Sequence, residues 1–186
     1  MTMPGQASFS FRSMRRMQGF TLIEMMTVIV IMGILLALVV PSFDAYFEKS
    51  RTKRAAETLA AFLVNAKSES LKRNATVRVV FQSASSGASW CAGMTAANTC
   101  DCSASPNTCQ MDGVDRTVAG ADFNGVVLSA PGDDFIYGFT HRRGTVNAQT
   151  IQLQSVSGYG MNVVVSSTGR IRLCSPSGTI GGYATC

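Results

Sequence analysis

The chain has 186 residues, 46% of them apolar and 15% charged, which excludes a wholly disordered polypeptide and leaves room for one domain plus an appendage. Its formal charge of +5 is uneven, since residues 81–186 hold five basic and six acidic side chains. A uniformly basic nucleic-acid-coating domain is thereby excluded, any anion site must be a local patch, and a single histidine argues against histidine-rich metal chemistry.

Arg12, Arg15 and Arg16 lead, with no acidic residue among the first nineteen, into an apolar run. Phe20–Val40 has 21 residues, of which 17 are apolar. As a helix it would be roughly 31 Å long, close to the hydrocarbon thickness of a bilayer. The basic flank places Met1–Gly19 in the cytoplasm and everything after Val40 outside. A cleaved secretory signal fits less well, because the run is longer than a signal h-region and no A-x-A site follows it. Glu24 is the one charge within the run. A carboxylate inside a span is costly unless it lies near the interface or is paired, so it marks function.

Gly19-Phe20-Thr21-Leu22-Ile23-Glu24, after a short basic leader and before an apolar run, resembles the type III signal of type IV pilins and type II secretion pseudopilins. The resemblance implies that a membrane prepilin peptidase cuts between Gly19 and Phe20 and that the new amine of Phe20 is methylated. It also implies that Glu24 takes part in filament assembly. Packed helices in a filament would bury Glu24, and a buried carboxylate needs a partner. The α-amino group of Phe20 on a neighbouring subunit is the available cation, and the pair would favour one axial register. The implied localisation is the inner membrane before assembly, with the N-terminus cytoplasmic, and the periplasm and a cell-surface pilus afterwards.

Pro41 is expected to interrupt the helix where the apolar run ends. A helical pattern resumes through Ser42–Arg73, with Leu59, Phe62, Leu63 and Ala66 on one face and Leu71 continuing it. Lys49, Arg51, Lys53, Arg54, Lys67, Lys72 and Arg73 lie mostly off that face and read as solvated charge. Asn74 is a plausible stop. Thr76–Gln82 reads as a strand, and Ser83–Ala104, rich in Ser, Ala, Gly, Asn and Cys, as loop. Gly125–Ser129, Phe135–Thr140, Thr150–Val156, Met161–Ser166 and Arg170–Cys174 are short β-rich runs between Gly, Asn and Ser turns. The expected class is α+β: a long N-terminal helix, half apolar and half amphipathic, packed against a mainly antiparallel sheet. The expected segments are a cleaved leader 1–19, an apolar helix 20–40, an amphipathic half 41–74 and a β-rich domain 75–186 with a cysteine-rich loop 83–110.

Six cysteines follow the apolar run, in an oxidising compartment if the topology holds. Zinc would prefer two C-x₂₋₄-C pairs. The spacings among Cys91, Cys100, Cys102 and Cys109 are 8, 1 and 6 intervening residues, which favours disulfides over metal. Cys174 and Cys186 are expected to pair, closing a loop of about 13 residues worth about 3 kcal/mol by chain entropy. That bridge would pin a tail, Ser175–Thr185, of low apolar content. Pairing among the first four stays open, except that Cys100 and Cys102 are expected to take different partners.

No nucleophile–base–acid set, no phosphate-cradling glycine loop and no cofactor pattern is visible. His141 sits beside Arg142 and Arg143 in a turn-like Thr-His-Arg-Arg-Gly, and Asp133-Asp134 after Pro131-Gly132 reads as a turn. The best anion candidate is Gly169-Arg170-Ile171-Arg172. In a strand the two arginines project together, roughly 6.6 Å apart, with Ile171 and Leu173 facing the core. Phosphates two steps apart along a nucleic-acid strand match that spacing at about 3.4 Å per step. Gly169 would let a backbone approach closely. The same pattern also fits an edge strand carrying solubilising arginines.

VVVSSTGRIRLC, preceded by FTHRRGTV and an alternating strand, resembles the FimT/GspH group of minor pilins and pseudopilins. In FimT-type proteins the Gly-Arg-x-Arg element is implicated in binding DNA during natural transformation, which maps here onto Gly169, Arg170 and Arg172, with Arg142 and Arg143 as additions. The resemblance implies a non-enzymatic filament subunit whose partners are other pilins or pseudopilins, the prepilin peptidase, the inner membrane and DNA. Two readings follow: a minor type IV pilin that binds DNA for uptake, or a type II secretion minor pseudopilin of the GspH kind without DNA binding.

Overall fold

The computed structural model describes residues 19–83, 89–129, 134–140 and 142–186; for 38–42 and 134–137 it describes the backbone alone. Arg12, Arg15, Arg16, His141 and the Pro131–Asp133 turn lie outside the described residues. Contacts divide the chain into two compact units, Met1–Pro41 and Ser42–Cys186.

Helix α1 spans Leu22–Arg73. Pro41, expected to interrupt it, lies within an unbroken helical assignment, because a missing N–H removes one bond of the ladder without ending it. From Glu48 onward the helix is anchored by one face. Thr52, Ala55, Ala56, Leu59, Leu63, Ala66 and Ser70 are all fully buried, at the spacing of three and four that aligns side chains on a helix. Full burial of Leu59 and Leu63 contributes about 1.5–3 kcal/mol each. Leu71, expected to continue this face, is instead 46% exposed, and Ser70 takes its place. Ser70 is fully buried, and its hydroxyl donates to Lys67 O at 2.8 Å, so no polar atom is stranded. Asn74 ends the helix with φ +50°, a left-handed stop that asparagine tolerates. Lys72 and Arg73 in the last turn complement the helix dipole.

The strands are β1 (Val77–Ser83), β2 (Trp90–Thr95), β3 (Gln110–Met111), β4 (Val114–Asp115), β5 (Thr117–Ala119), β6 (Val126–Ser129), β7 (Asp134–Phe139), β8 (Gln149–Ser155), β9 (Gly160–Val165) and β10 (Ile171–Cys174). They form one four-stranded sheet ordered β5-β2-β1-β7, another ordered β10-β9-β8-β6, and a β3-β4 hairpin. Every pairing between these strands is antiparallel. The molecule is thus α+β, with the 42–73 part of α1 sharing one core with both sheets: Leu59, Leu63, Val79, Phe81, Phe139, Ile151, Leu153 and Val163 belong to a single buried cluster. Trp90 ties the sheets together. Its indole donates to Val126 O at 3.0 Å and its ring stacks on Phe123.

Three readings need correction here. The 83–110 stretch is not all loop, since β2 lies inside it with all six residues buried. Its Cys, Ala and Gly give no alternation because both faces are covered. Asp134, read as part of a turn, opens β7. The 175–185 tail is not merely pinned by its cysteines, because Ile180 is 3% exposed in the main core and Tyr183 packs against it.

Candidate anion-binding face and processing segment

Gly19 and Phe20 precede α1 in irregular backbone, and Phe20 is 73% exposed. Thr21 then caps the helix, its hydroxyl accepting the Glu24 N–H at 3.3 Å. Thr21-Leu22-Ile23-Glu24 is a T-x-x-E start signal, a local role for Glu24 that sequence reasoning passed over. The carboxylate sits in the first turn, where the helix dipole favours negative charge. From Leu22 to Leu36 the large apolar side chains are exposed. Among the described residues no helix is long and apolar enough to cross a membrane.

The arginine pair lies in the second sheet. β10 pairs with β9 on one side and is an edge of its sheet. Arg170 stands immediately before β10 and Arg172 within it; both are exposed, while Ile171 and Leu173 pack against the core. With Val164 and Ser166 the two arginines line a depression of about 180 Å³. The turn before them is closed by Gly169 N–H to Ser166 O at 2.8 Å and Ser166 N–H to Arg170 O at 2.9 Å. Gly169 has φ +70°, and a Cβ there would lie 2.1 Å from Gly144 O, so only glycine fits.

Gly144 belongs to the other arginine-bearing turn. Arg142 and Arg143 are exposed at its tip. Gly144 N–H donates to Thr140 O at 2.7 Å and Thr140 N–H to Thr145 O at 3.0 Å. Val146 N–H donates to Ser167 O at 3.2 Å, joining the two turns. Thr140, Thr145, Ser167 and Thr168 contribute hydroxyls to a shallow cleft of about 500 Å³. Among the described residues none of the four arginines is in an ion pair. The residues that sequence reasoning missed are Gly144, whose Arg-Arg-Gly context signals a turn, and Lys67, read as solvated helix charge. Lys67 donates to Gly169 O at 3.0 Å.

The cysteines form three bridges: Cys91–Cys102, Cys100–Cys109 and Cys174–Cys186, with Cα–Cα distances of 6.0, 5.0 and 5.1 Å. Cys100 and Cys102 take different partners. Cys109 packs so closely on β2 that a Cβ at Gly93 would lie 2.1 Å from its Sγ. Asp101 organises the intervening loop, and the Ser103 hydroxyl and N–H hold its carboxyl below the usual range.

The prokaryotic N-terminal methylation motif matches residues 14–40, and the family described as type II transport protein GspH matches residues 55–179, most of the chain. The chain belongs to the GspH family. Two curated relatives from Moraxella bovis, the type IV major alpha-pilin and fimbrial protein Q, are each 50% identical over 48 residues, or 26% of this chain. The chain covers 30% and 31% of the length of those relatives. The crystal structure of the type IV minor pilin FimU of Pseudomonas aeruginosa is similar with a TM-score of 0.47 at 20% identity, over 69% of this chain and 91% of that one. The methylation motif at residues 14–40 stands ahead of the GspH region at 55–179.

Proposed function

We propose that this GspH-family chain is a minor subunit of a type IV pilus that captures DNA for uptake. The observation that carries the reading is the placing of exposed Arg170 and Arg172, without an ion pair among the described residues, at a sheet edge beside the Arg142–Arg143 turn. These are four of the five basic residues in 81–186, so the patch is local in a region of near-zero net charge. Phosphate contacts of this kind carry affinity without reading sequence. The subunit starts in the inner membrane, with Met1–Gly19 cytoplasmic and 20–40 as its anchor. The prepilin peptidase cuts after Gly19, Phe20 is methylated, and Glu24 pairs with a neighbour's amine in the filament. The assembled subunit is therefore expected to begin at methylated Phe20 by mass spectrometry.

The full-length double variant Arg170→Gln/Arg172→Gln tests the DNA reading. Two to four phosphate contacts give a slope of about −2 to −4 for log K against log salt, and the variant flattens it by about two. Transformation frequency is expected to fall while pili still assemble. Unchanged binding and uptake would reduce the arginines to edge-strand solubilisers. The family's description, type II transport, favours a second reading as a minor pseudopilin of a secretion filament. Genomic neighbourhood separates the two: minor pilin genes support the first, a secretion operon the second.

A further inference from the structure

Lys67 stands on α1 about two turns before its end, and its side chain reaches across to two turns of the β-rich part. It is half-buried, and its Nζ donates to Gly169 O at 3.0 Å and Thr168 O at 3.4 Å. Two of the three ammonium donors are thus held by backbone carbonyls of the turn that launches Arg170. The aliphatic stem lies against the other turn: a Cβ on Gly144, at φ +60°, would be 2.6 Å from Lys67 Cε and 3.1 Å from its Cγ. A Cβ on Gly169 would meet Gly144 O on one side and Lys67 Nζ, at 3.1 Å, on the other. Lysine, Gly144 and Gly169 therefore meet at one point, where three chain segments distant in sequence converge.

That point lies between the two arginine-bearing segments. Within each turn the hydrogen bonds are local. Between them runs the Val146–Ser167 backbone bond. The remaining fastening is the lysine, which covers one turn with its stem and draws on the other with its head. We propose that Lys67 is a positioning residue, clamping the Arg142–Arg143 turn to the Gly169–Arg172 segment so that the four arginines present one continuous surface to a sugar-phosphate backbone. The proposal rests on the DNA reading above and names how that site is held. An ammonium already committed to carbonyls orients the chain; the arginines make the phosphate contacts.

The test uses the full-length chain in detergent with Lys67→Met, which keeps a stem of similar length and removes the donors. Amide exchange should rise about tenfold in 140–146 and 166–170 while β8 and β9 are unchanged. The slope of log K against log salt for duplex DNA should flatten by about two, because only one arginine pair then tracks a given backbone. Gly144→Ala, which displaces the stem from the opposite side, should reproduce both changes. A slope loss of one with unchanged exchange would make Lys67 an ordinary phosphate contact and overturn the proposal. Faster exchange with unchanged DNA binding would leave only a structural role and also overturn it. If the unaltered chain binds no DNA, the DNA reading and the positioning role fall together, and exchange alone then decides whether the clamp exists.

Discussion

The two sheets of the Ser42–Cys186 unit are finished by different chemistry. The β5-β2-β1-β7 sheet carries an insert between β2 and β5 whose 100–109 stretch, Cys-Asp-Cys-Ser-Ala-Ser-Pro-Asn-Thr-Cys, has no large apolar side chain to bury. Two crossed disulfides hold it, and Cys100 and Cys109 form with Val80 a small buried cluster of their own. The β10-β9-β8-β6 sheet carries the Gly169–Arg172 segment, and the Arg142–Arg143 turn meets it from the connection between β7 and β8; in the proposed reading both stay exposed to meet a partner. Glycines, carbonyls and one lysine hold them instead, and the Cys174–Cys186 bridge secures only the tail beyond β10. A segment with no large apolar side chains of its own to bury is held covalently. A segment whose charges must point in set directions is better fixed through its backbone.

The largest effects should come from one extra methyl group on each side. Gly93→Ala and Gly169→Ala both push a Cβ to 2.1 Å from a neighbouring atom, Cys109 Sγ in one and Gly144 O in the other. Overpacking, with an unfavourable φ added at Gly169, is expected to cost about 3 kcal/mol in each, read by urea unfolding. Thiol counting should separate them: Gly93→Ala exposes free thiols from the Cys100–Cys109 pair, and Gly169→Ala exposes none. Thiols freed by Gly169→Ala would show that the two halves are not fastened independently.

Next in size is loss of one covalent fastening. Cys100→Ser/Cys109→Ser opens a short loop, worth about 2.5–3 kcal/mol by chain entropy. Amide exchange should increase across 91–109 and stay unchanged in 140–146 and 166–170. Spread of the effect into the arginine turns would erase the contrast between the halves.

The smallest effect is that of acid, which acts on both halves through single carboxylates. Hydrogen bonds from the Ser155 and Ser157 hydroxyls lower the pKa of Glu48 from its ordinary 4.5, and those from Ser103 lower that of Asp101 from 3.8. A depressed carboxylate stabilises the fold above its ordinary pKa, and the contribution is lost as pH falls through the lowered value. Stability measured from about pH 5 to about pH 2.5 should therefore decline, and Glu48→Gln or Asp101→Asn should each make the decline shallower. An unchanged acid limb in both variants would mean that these bonds do not discriminate folded from unfolded chain.

Much of the molecule was legible from local pattern. The helix face through Leu59, Leu63 and Ala66, the stop at Asn74, and six of the ten strands among the described residues follow from spacing and turn residues, because they need only near neighbours in sequence. The exposed alternation of Arg170 and Arg172 about Ile171 was legible for the same reason. β2 was not, since a strand covered on both faces and built from Trp, Cys, Ala, Gly, Met and Thr has no period to detect. Leu71 misled because a helix face is chosen by what lies opposite it, and at the last turn the buried position falls on Ser70.

The sequence by itself determined the order of parts among the described residues: a T-L-I-E helix start, one long helix, short strands and six cysteines. Composition and period carry that information residue by residue. Only the tertiary structure decided which of Cys91 and Cys109 pairs with Cys100 and which with Cys102, the central place of β2, and the meeting of Lys67, Gly144 and Gly169. Lys67 lies 77 residues from Gly144 and 102 from Gly169 in the chain. A contact across such a separation leaves no period and no spacing to read. It exists because antiparallel pairing brings the two turns side by side, and because the buried face of α1 points the lysine stem between them.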